Sequence, residues 1–281
     1  MKCEPTVLGL NGSTISQADI ITGLACAAKA GFTGYEARVH ALQTYAKRTH
    51  VSSADAIRES VGLCWLPLNS LEGLFASPPE ELVFRMHSIA NLGSSAGIRE
   101  IILVPGQANV GFQRARELLE KIVAVGSAAG TTCLYELIGF PTHALSSLAQ
   151  AYRLAQGVGV GLVLDTFHLA VCAASERTIQ QLPPKSIGLV HLSDAQVTGK
   201  AIEELTDDDR VLPGEGGLDL GPILAAVRRT GYTGPVSVEV FHPKYNDLEP
   251  PLVARMAFQS CVQALADAGW KLTPSEREES G

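Results

Sequence analysis

The stretch Leu10-Asn11-Gly12-Ser13-Thr14, which follows the first predicted strand, decides between two parallel-sheet folds. A doubly wound sheet that binds nucleotides would carry a G-x-G-x-x-G fingerprint or a phosphate-binding P-loop at this turn. Neither pattern is present here. The turn therefore favours the other fold in which parallel strands alternate with helices, the closed (β/α)8 barrel.

Short apolar runs alternate with longer amphipathic segments along nearly the whole chain, which predicts parallel strands covered by helices. The predicted strands are Thr6–Leu10, Gly34–Val39, Gly62–Leu68, Glu100–Val104, Thr132–Leu137, Gly161–Leu164, Gly188–Leu192 and Val236–Phe241. About eight helices are expected, and the clearest are Ile20–Ala30, Glu80–Leu92, Ala115–Ala128 and Leu145–Gln156. Gly31 and Gly231 follow helical stretches and are predicted helix stops.

Eight strand–helix units use up the length of 281 residues and leave no room for a second domain. We predict one α/β domain, a (β/α)8 TIM barrel over residues 1–272. Residues 273–281 are polar and charged, and we expect them to form a disordered tail.

Composition limits the function classes. The net charge of −7, with 22 basic residues, argues against nucleic-acid binding. No run approaches the roughly 18 apolar residues of a membrane span, and the start of the chain has no signal-peptide pattern. We expect a cytoplasmic enzyme that acts on a small molecule and binds neither nucleic acid nor membrane, with assembly into a homo-oligomer left open.

The six cysteines, at positions 3, 26, 64, 133, 172 and 261, form no Cys-x-x-Cys pair. Without a secretion signal they are expected to be reduced and mostly buried. A nucleophilic cysteine is the alternative interpretation.

Four successive predicted strands each end with an ionisable residue among aliphatic ones. The four are Glu136, Asp165, His191 and Glu239. Each alone could be a salt-bridged core residue, but four in phase at the catalytic end of a barrel predict a shared ligand. One divalent cation would compensate their burial. The oxygen-rich set suits Mn²⁺, Mg²⁺ or Co²⁺, with Zn²⁺ as a further option.

Other polar residues are candidates for substrate binding. His168 follows Asp165 by three residues and could donate a hydrogen bond to a hydroxyl, although it could also be a simple loop residue. Arg210 lies in a long connection, residues 194–217, where a Pro-Gly turn would fix its direction, against the alternative of a solvated charge. Glu36 and Arg38 on the second predicted strand, and Asn69 after the third, could also face the mouth. Structural pairing of Glu36 with Arg38 is the simpler account of the first two. The remaining histidines considered, His40, His50, His87 and His143, are expected to be surface or core groups.

Several stretches resemble the xylose-isomerase-like barrel superfamily of sugar isomerases and epimerases, over residues 5–270. Within it the inosose (2-keto-myo-inositol) isomerases of inositol catabolism are the most similar subgroup. The stretches that carry the resemblance are residues 135–141, 161–168, 205–216 and 237–241. The chain departs from that subgroup after the last strand, where it reads Phe241-His242-Pro243-Lys244-Tyr245 and the subgroup tends to read Phe-Arg-Pro-Glu-Tyr.

The resemblance implies metal ligands at Glu136, Asp165, His191 and Glu239, and hydrogen bonds from His168 and Arg210 to substrate. It predicts a metal-dependent isomerase or epimerase of a polyol ketone or sugar that works through a metal-stabilised enediolate. Glu136 and Glu239 would be the acid/base pair.

Three alternatives stay open. The first is a metal-dependent lyase of the 3-dehydroshikimate dehydratase type on the same scaffold. The second is an abasic-site endonuclease, which would need further histidine ligands where this chain has Asn69 and Pro105-Gly106. The third is a sugar-binding protein without catalysis.

Overall fold

A computed structural model of the chain describes residues 6–272. The strands are β1 (Leu8–Asn11), β2 (Gly34–Glu36), β3 (Cys64–Trp65), β4 (Leu68–Leu71), β5 (Glu100–Leu103), β6 (Thr132–Glu136), β7 (Gly161–Asp165), β8 (Ile187–Leu192), β9 (Asp194–Ala195), β10 (Arg210–Val211) and β11 (Val236–Val238). The α-helices are α1 (Ile20–Ala30), α2 (Val39–Ala46), α3 (Ser52–Ser60), α4 (Pro79–Ser95), α5 (Phe112–Ala128), α6 (Leu148–Val158), α7 (Thr166–Val171), α8 (Glu176–Gln180), α9 (Leu220–Arg229) and α10 (Pro250–Asp267).

The main sheet is parallel and has the order β3-β2-β1-β11-β8-β7-β6-β5-β4. Its two end segments, β3 and β4, are halves of one barrel strand, separated only by Leu66 and Pro67. Pro67 has no N–H to donate, which interrupts the ladder. The amides of Leu66 and Asn69 still donate to the carbonyls of Tyr35 and Ala37, at 2.9 and 3.0 Å. The sheet thus closes into an eight-stranded barrel, and the predicted (β/α)8 fold is confirmed.

Alternate side chains of each strand point into the barrel. Leu134, Val163 and Leu189 form a small apolar cluster with Leu66 and Ile102, separate from the main core between strands and helices. The first three lie two residues before Glu136, Asp165 and His191. The same phase therefore fills the barrel with aliphatic residues and places ionisable ones above them, at the carboxyl ends of the strands.

Several predicted bounds are wrong. The predicted strand Gly34–Val39 ends at Glu36, because Arg38 is already the N-cap of α2. The predicted strand Gly62–Leu68 is the interrupted pair β3 and β4, so Asn69 lies within a strand and not after it. The predicted Val236–Phe241 pairs only as far as Val238.

The helices agree more closely with prediction. The bounds of α1 are those predicted, and Gly31 ends the helix with φ of 106°, a left-handed conformation that suits glycine. The predicted helix Leu145–Gln156 begins later, at Leu148, because the hydroxyl of Ser147 caps it by accepting the Gln150 amide. Residues 6–272 contain ten α-helices against the eight expected.

Two further expectations concern membrane spans and the C-terminal residues. Within residues 6–272, none of the helices has the length and apolarity of a membrane span. The expected tail, residues 273–281, lies outside the described residues.

Candidate metal centre and active-site cavity

The structure brings the four strand-end residues together. Their ligand atoms all lie within 4.8 Å of one another, and all four side chains are buried. The contributing residues, on consecutive barrel strands, are Glu136 at the end of β6, Asp165 at the end of β7, His191 in β8 and Glu239 directly after β11. No second group of this kind is found within the described range, so nothing there suggests the larger metal cluster that the endonuclease interpretation needs.

His191 lies at the centre of this group. Its Nδ1 atom is 3.1 Å from Glu239 Oε2 and 3.4 Å from Glu136 Oε1. On the other side of the ring, Nε2 lies 3.0 and 3.1 Å from the two oxygens of Glu36. An Nε2–H that donates to Glu36 leaves the Nδ1 lone pair facing the carboxylates. In proteins that bind metals, a histidine ligand is commonly oriented by such a carboxylate.

The pKa values of His191, Glu136 and Glu239 are shifted because these buried ionisable groups lie close together. Burial alone would lower the pKa of His191, but the carboxylates of Glu239 and Glu36 raise it well above its ordinary value. Burial raises the pKa of Glu136 to about 7. Glu239 has its pKa lowered, since the nearby charge of His191 outweighs the effect of burial. Three buried carboxylates around one imidazole therefore carry an excess of negative charge, which a cation between them would compensate.

These residues fit a divalent cation. His191 Nδ1 is buried and has no hydrogen-bond partner among the residues the structure describes. The raised pKa means that His191 carries a proton when no cation is bound, and one imidazolium charge does not balance three buried carboxylates. A divalent cation at Nδ1 would take the place of that proton and add positive charge between the carboxylates. Three carboxylates with one imidazole are donors that Mn²⁺, Mg²⁺, Co²⁺ and Zn²⁺ all accept.

The predicted pairing of Glu36 with Arg38 is wrong. Glu36 is fully buried and contacts His191, because its side chain points into the barrel from the last residue of β2. Arg38 lies at the mouth, where its guanidinium is 3.6 Å from Glu72 and 3.7 Å from Glu239. Arg38 thus reaches the cavity, as its predicted substrate role requires, and Glu36 supports a candidate metal ligand.

Asn69 also reaches the site, through its amide nitrogen. It donates to Glu36 Oε1 at 2.8 Å and to Glu239 Oε1 at 3.0 Å. Both amide hydrogens of Asn69 therefore bind carboxylates. This favours a role for Asn69 in orienting Glu36 and Glu239 over the predicted role of binding substrate. Asn11, at the end of β1, donates to the same Glu239 oxygen at 2.9 Å and was not a candidate in the sequence.

Asp165 and Arg210 form a buried ion pair, with 2.5 Å between Asp165 Oδ2 and Arg210 Nη1. Arg210 is only 2% exposed and also contacts Asp207 at 2.9 Å. Its other terminal nitrogen lies 3.0 Å from His168 Nε2. The side chain is therefore no solvated loop charge: it lies over the Phe167 ring and lines the cavity next to a candidate ligand.

His168 is buried in α7 and lines the same cavity. Burial and the charge of Arg210 lower the pKa of His168 well below its ordinary value, so the ring is neutral. Since Arg210 donates to Nε2, the proton is on Nδ1, an atom with no partner among residues 6–272. His168 thus has a donor without a protein partner, but Nδ1 is itself buried, so the hydrogen bond from His168 to a substrate hydroxyl stays a prediction.

The long connection that carries Arg210 is anchored by Asp194. Its carboxylate accepts four backbone N–H groups, from Ala195 at 2.7 Å, Leu218 at 2.9 Å, and Gly214 and Gly216 at 3.1 Å each. A short antiparallel pair, β9 with β10, closes the base of the loop. The direction of Arg210 is therefore fixed by its ion pairs and by this anchored loop.

The segment that departs from the inosose isomerase subgroup lies behind this loop. Lys244 pairs with Glu215 at 2.7 Å, and the Tyr245 hydroxyl donates to the same carboxylate at 2.8 Å. Tyr245 also accepts the amide of Leu212 at 2.8 Å. From residues 241–245, Phe241 alone lines the cavity, so the two residues that differ, His242 and Lys244, lie outside the lining.

The cavity above the four candidate ligands has a volume of about 410 Å³. Its lining includes Glu136 and Glu239 at the floor and the aromatic rings of Phe140 and Phe241 at the walls. His143 also lines it, beside Phe140, and is half-buried. The expectation that His143 is a surface or core group did not include this position at the cavity, on the loop after β6. The other three histidines of that set are exposed, as expected.

The cysteines that the structure describes carry free thiols. Burial raises the pKa of Cys133 and of Cys261 to about 12, and the pKa values of Cys26, Cys64 and Cys172 are also raised by burial. None of these five lines the cavity. The nucleophilic alternative has no support within residues 6–272.

Comparison with known proteins finds related sequences and a shared fold. The inosose isomerase of Bacillus velezensis is 29% identical over 177 residues, which is 60% of this chain and 62% of that protein. The inosose isomerase of Bacillus subtilis is 32% identical over 154 residues, 54% of this chain and 53% of that protein. The chain thus spans between about half and three-fifths of the length of these curated relatives. A crystal structure described as "IOLI protein with a binding zinc atom" superposes with a TM-score of 0.87 at 24% identity, over 94% of this chain and 99% of that one.

A family model described as "Xylose isomerase-like TIM barrel" matches residues 24–261. That range includes the barrel strands β2 to β11 and all four candidate ligands. The chain therefore belongs to the xylose isomerase-like TIM barrel family.

Proposed function

We propose that this protein is a divalent-metal-dependent isomerase or epimerase of a polyol ketone or sugar, of the inosose or ketose type. The observation that carries the proposal is the buried group of Glu136, Asp165, His191 and Glu239 at the floor of a cavity. The relatives support it, since two inosose isomerases match much of the sequence. A solved L-ribulose 3-epimerase shares the fold with a TM-score of 0.72 at 18% identity.

The roles of the two glutamates follow from their positions. Glu136 and Glu239 lie on the outer two of the four ligand-bearing strands, so they flank His191 from opposite sides. Both line the cavity. When bound, a divalent cation would supply Lewis-acid stabilisation of negative charge on substrate oxygens. One glutamate then takes the proton from the carbon beside the carbonyl, and the other returns a proton to the neighbouring carbon or to the opposite face.

The rest of the lining orients a polyhydroxylated substrate. The guanidinium groups of Arg38 and Arg210 offer N–H donors to hydroxyl or carbonyl oxygens, and the neutral ring of His168 lines the same cavity. Phe140 and Phe241 provide apolar walls that can pack against the C–H face of a ring. Such a mixture suits a sugar or cyclitol, which has hydroxyl edges and a less polar face.

The charge of the lining favours a neutral substrate over the carboxylate substrate of a dehydroshikimate dehydratase. Arg38 lies within 4 Å of Glu72 and Glu239, and Arg210 contacts Asp165 and Asp207. Each arginine of the described lining is thus already paired with two carboxylates. A substrate carboxylate would have to compete with these pairs, so the dehydratase reaction is the second candidate. A 3-dehydroshikimate dehydratase of Pseudomonas aeruginosa is 34% identical over 130 residues, 45% of this chain and 20% of that protein.

A product assay tests the proposal. Metal-free protein reconstituted with Mn²⁺ is offered inososes, ketohexoses and 3-dehydroshikimate in D2O, and products are followed by NMR and by the absorbance of catechols. The proposal expects an isomer of unchanged formula that has gained deuterium on carbon. A catechol from 3-dehydroshikimate, without isomerisation of any polyol ketone, would overturn it.

A matched pair of variants locates the chemistry. Glu239→Gln removes an acid/base group and should lower turnover by at least about 100-fold. Glu80→Gln makes the same change on an exposed residue of α4 and should leave turnover unchanged. Near-normal activity of Glu239→Gln would contradict the assigned role.

A further inference from the structure

Asn11 is a fully buried polar residue at the floor of the site that lies outside the cavity lining. Its side-chain Oδ1 accepts the backbone N–H of Ser13 at 2.9 Å and also contacts the Ser13 hydroxyl. These contacts make Asn11 the N-cap of a short 3₁₀ helix, Gly12–Ile15. Because Oδ1 is held by the N–H of Ser13, the amide nitrogen must face the opposite way, into the barrel.

That nitrogen meets Glu239. The Asn11 Nδ2 atom donates to Glu239 Oε1 at 2.9 Å, across 228 positions of sequence. Asn69 donates to the same oxygen at 3.0 Å from another strand. Oε1 therefore receives two amide N–H groups, while Oε2 lies 3.1 Å from His191 Nδ1. The two oxygens of Glu239 thus have different surroundings, and only Oε2 faces the other candidate ligands.

We infer that Asn11 is a positioning residue that holds Glu239 so that a single oxygen, Oε2, faces the metal position. The inference rests on the proposed metal site. Asn69 shares this task but also binds Glu36, so its removal would disturb two carboxylates at once. Among the four candidate ligands and Glu36, Asn11 contacts Glu239 alone. Substitution of Asn11 therefore changes the position of Glu239 without removing a hydrogen bond from Glu36.

Two substitutions separate the amide donor from the helix cap. Asn11→Ser keeps an oxygen that can cap the 3₁₀ helix, since serine is a favoured N-cap residue, but it is too short to reach Glu239. Asn11→Ala removes both the cap and the donor. Asn91→Ala removes the amide of an exposed residue on α4 and is the matched control.

The first readout is the dissociation constant of Mn²⁺, measured by calorimetry on metal-free protein. Residues that orient metal ligands typically contribute about 10–100-fold to metal affinity. Asn11→Ser and Asn11→Ala should therefore both bind Mn²⁺ at least about tenfold more weakly, and Asn91→Ala should match the wild type. Circular dichroism of each variant checks that the barrel is folded. If Asn11→Ala does not fold, Asn11→Ser alone decides the question.

The second readout is the visible absorption spectrum of the Co²⁺-loaded protein, which responds to coordination geometry. In the Asn11 variants Oε1 of Glu239 keeps only the Asn69 amide donor, so the carboxylate is held less firmly and can shift relative to the metal position. The Co²⁺ bands of both Asn11 variants should therefore change in intensity relative to the wild type. A residue that acted only as a helix cap would leave Asn11→Ser like the wild type in both measurements. That result, with Mn²⁺ affinity within about twofold and an unchanged Co²⁺ spectrum, would overturn the inference while leaving the metal site intact. A wild-type protein that binds neither ion would overturn the metal site itself, and the positioning role with it.

Discussion

The Nε2 atom of His191 lies 3.0 Å from Oε1 of Glu36, a residue 155 positions earlier in the chain. This contact fixes which ring nitrogen faces the other three candidate ligands. Both side chains are fully buried, so solvent cannot replace the contact if it is lost. Glu36 therefore controls the orientation of the central ligand without belonging to the four-residue group.

Substitution of Glu36 should weaken metal binding. In Glu36→Ala the imidazole loses its acceptor and can rotate, so the dissociation constant for Mn²⁺ should rise about 10–100-fold. Glu36→Gln keeps one acceptor oxygen and should have a smaller effect. Calorimetric titration of the metal-free variants gives both values, and an unchanged affinity in Glu36→Ala would show that Glu36 does not orient the histidine.

The buried pair of Arg210 with Asp165 should be far more important for stability than a surface pair of similar length. Arg210→Met leaves Asp165 buried without a positive partner, and the free energy of unfolding of the metal-free protein should fall by about 3–5 kcal/mol. Arg229 and Glu176 form an exposed pair at 2.6 Å, so Arg229→Met should cost less than about 1 kcal/mol.

Urea unfolding of the two arginine variants provides the comparison. Equal losses in Arg210→Met and Arg229→Met would contradict the electrostatic account of the site. The expected difference arises because charge in the interior is not screened by water, whereas the Arg229 pair is solvated.

The carboxylate of Asp194 should hold the loop that carries Arg210. Asp194→Ala removes the acceptor of four backbone N–H groups, and hydrogen bonds to charged groups each contribute about 1.5–3 kcal/mol, although they do not add fully. We expect a loss of at least about 2 kcal/mol in the free energy of unfolding, together with faster proteolysis within residues 196–217. Asp247→Ala, at an exposed position, is the control. A loop that resists protease equally in both variants would show that Asp194 does not anchor it.

The buried thiols should be inert at ordinary pH. Because the pKa of Cys133 and of Cys261 is raised to about 12, both remain protonated at around pH 8, and alkylation requires the thiolate. Iodoacetamide should leave these two cysteines unmodified in the native protein and modify them in urea, as read by mass spectrometry. Rapid labelling of either in the native state, with loss of activity, would revive the nucleophilic alternative.

The sequence was sufficient to predict the barrel and the four strand-end residues because both depend on local periodicity. Alternation along each strand puts Leu134 and Glu136 on the same face, and the same spacing recurs at Val163 with Asp165. Parallel strands then bring their carboxyl ends to one mouth. Nothing beyond the phase of the strands was needed to place these residues near one another.

The contacts around the four residues could not be predicted in this way. The sequence predicts that Glu36 pairs with Arg38, which is two residues away. Its partner is His191, on another strand of the barrel, and the two residues come together only because the sheet closes. Asn11 lies in the turn whose sequence indicates the absence of a nucleotide-binding motif and says nothing of a contact with Glu239. A buried asparagine directly after an apolar run was the available signal, since such a group requires partners. His143 depended on the path of a loop, which periodicity does not describe.

The proposed function requires that Glu136, Asp165, His191 and Glu239 hold one divalent cation. Its most direct test is the metal content of the protein after reconstitution with Mn²⁺ and removal of excess ion, measured by mass spectrometry for the wild type, His191→Ala and the exposed control His87→Ala. We predict one ion per chain in the wild type and in His87→Ala, and a dissociation constant for His191→Ala that is raised too far for the ion to be retained. A wild type without bound ion, or a His191→Ala variant that retains it fully, would contradict the account.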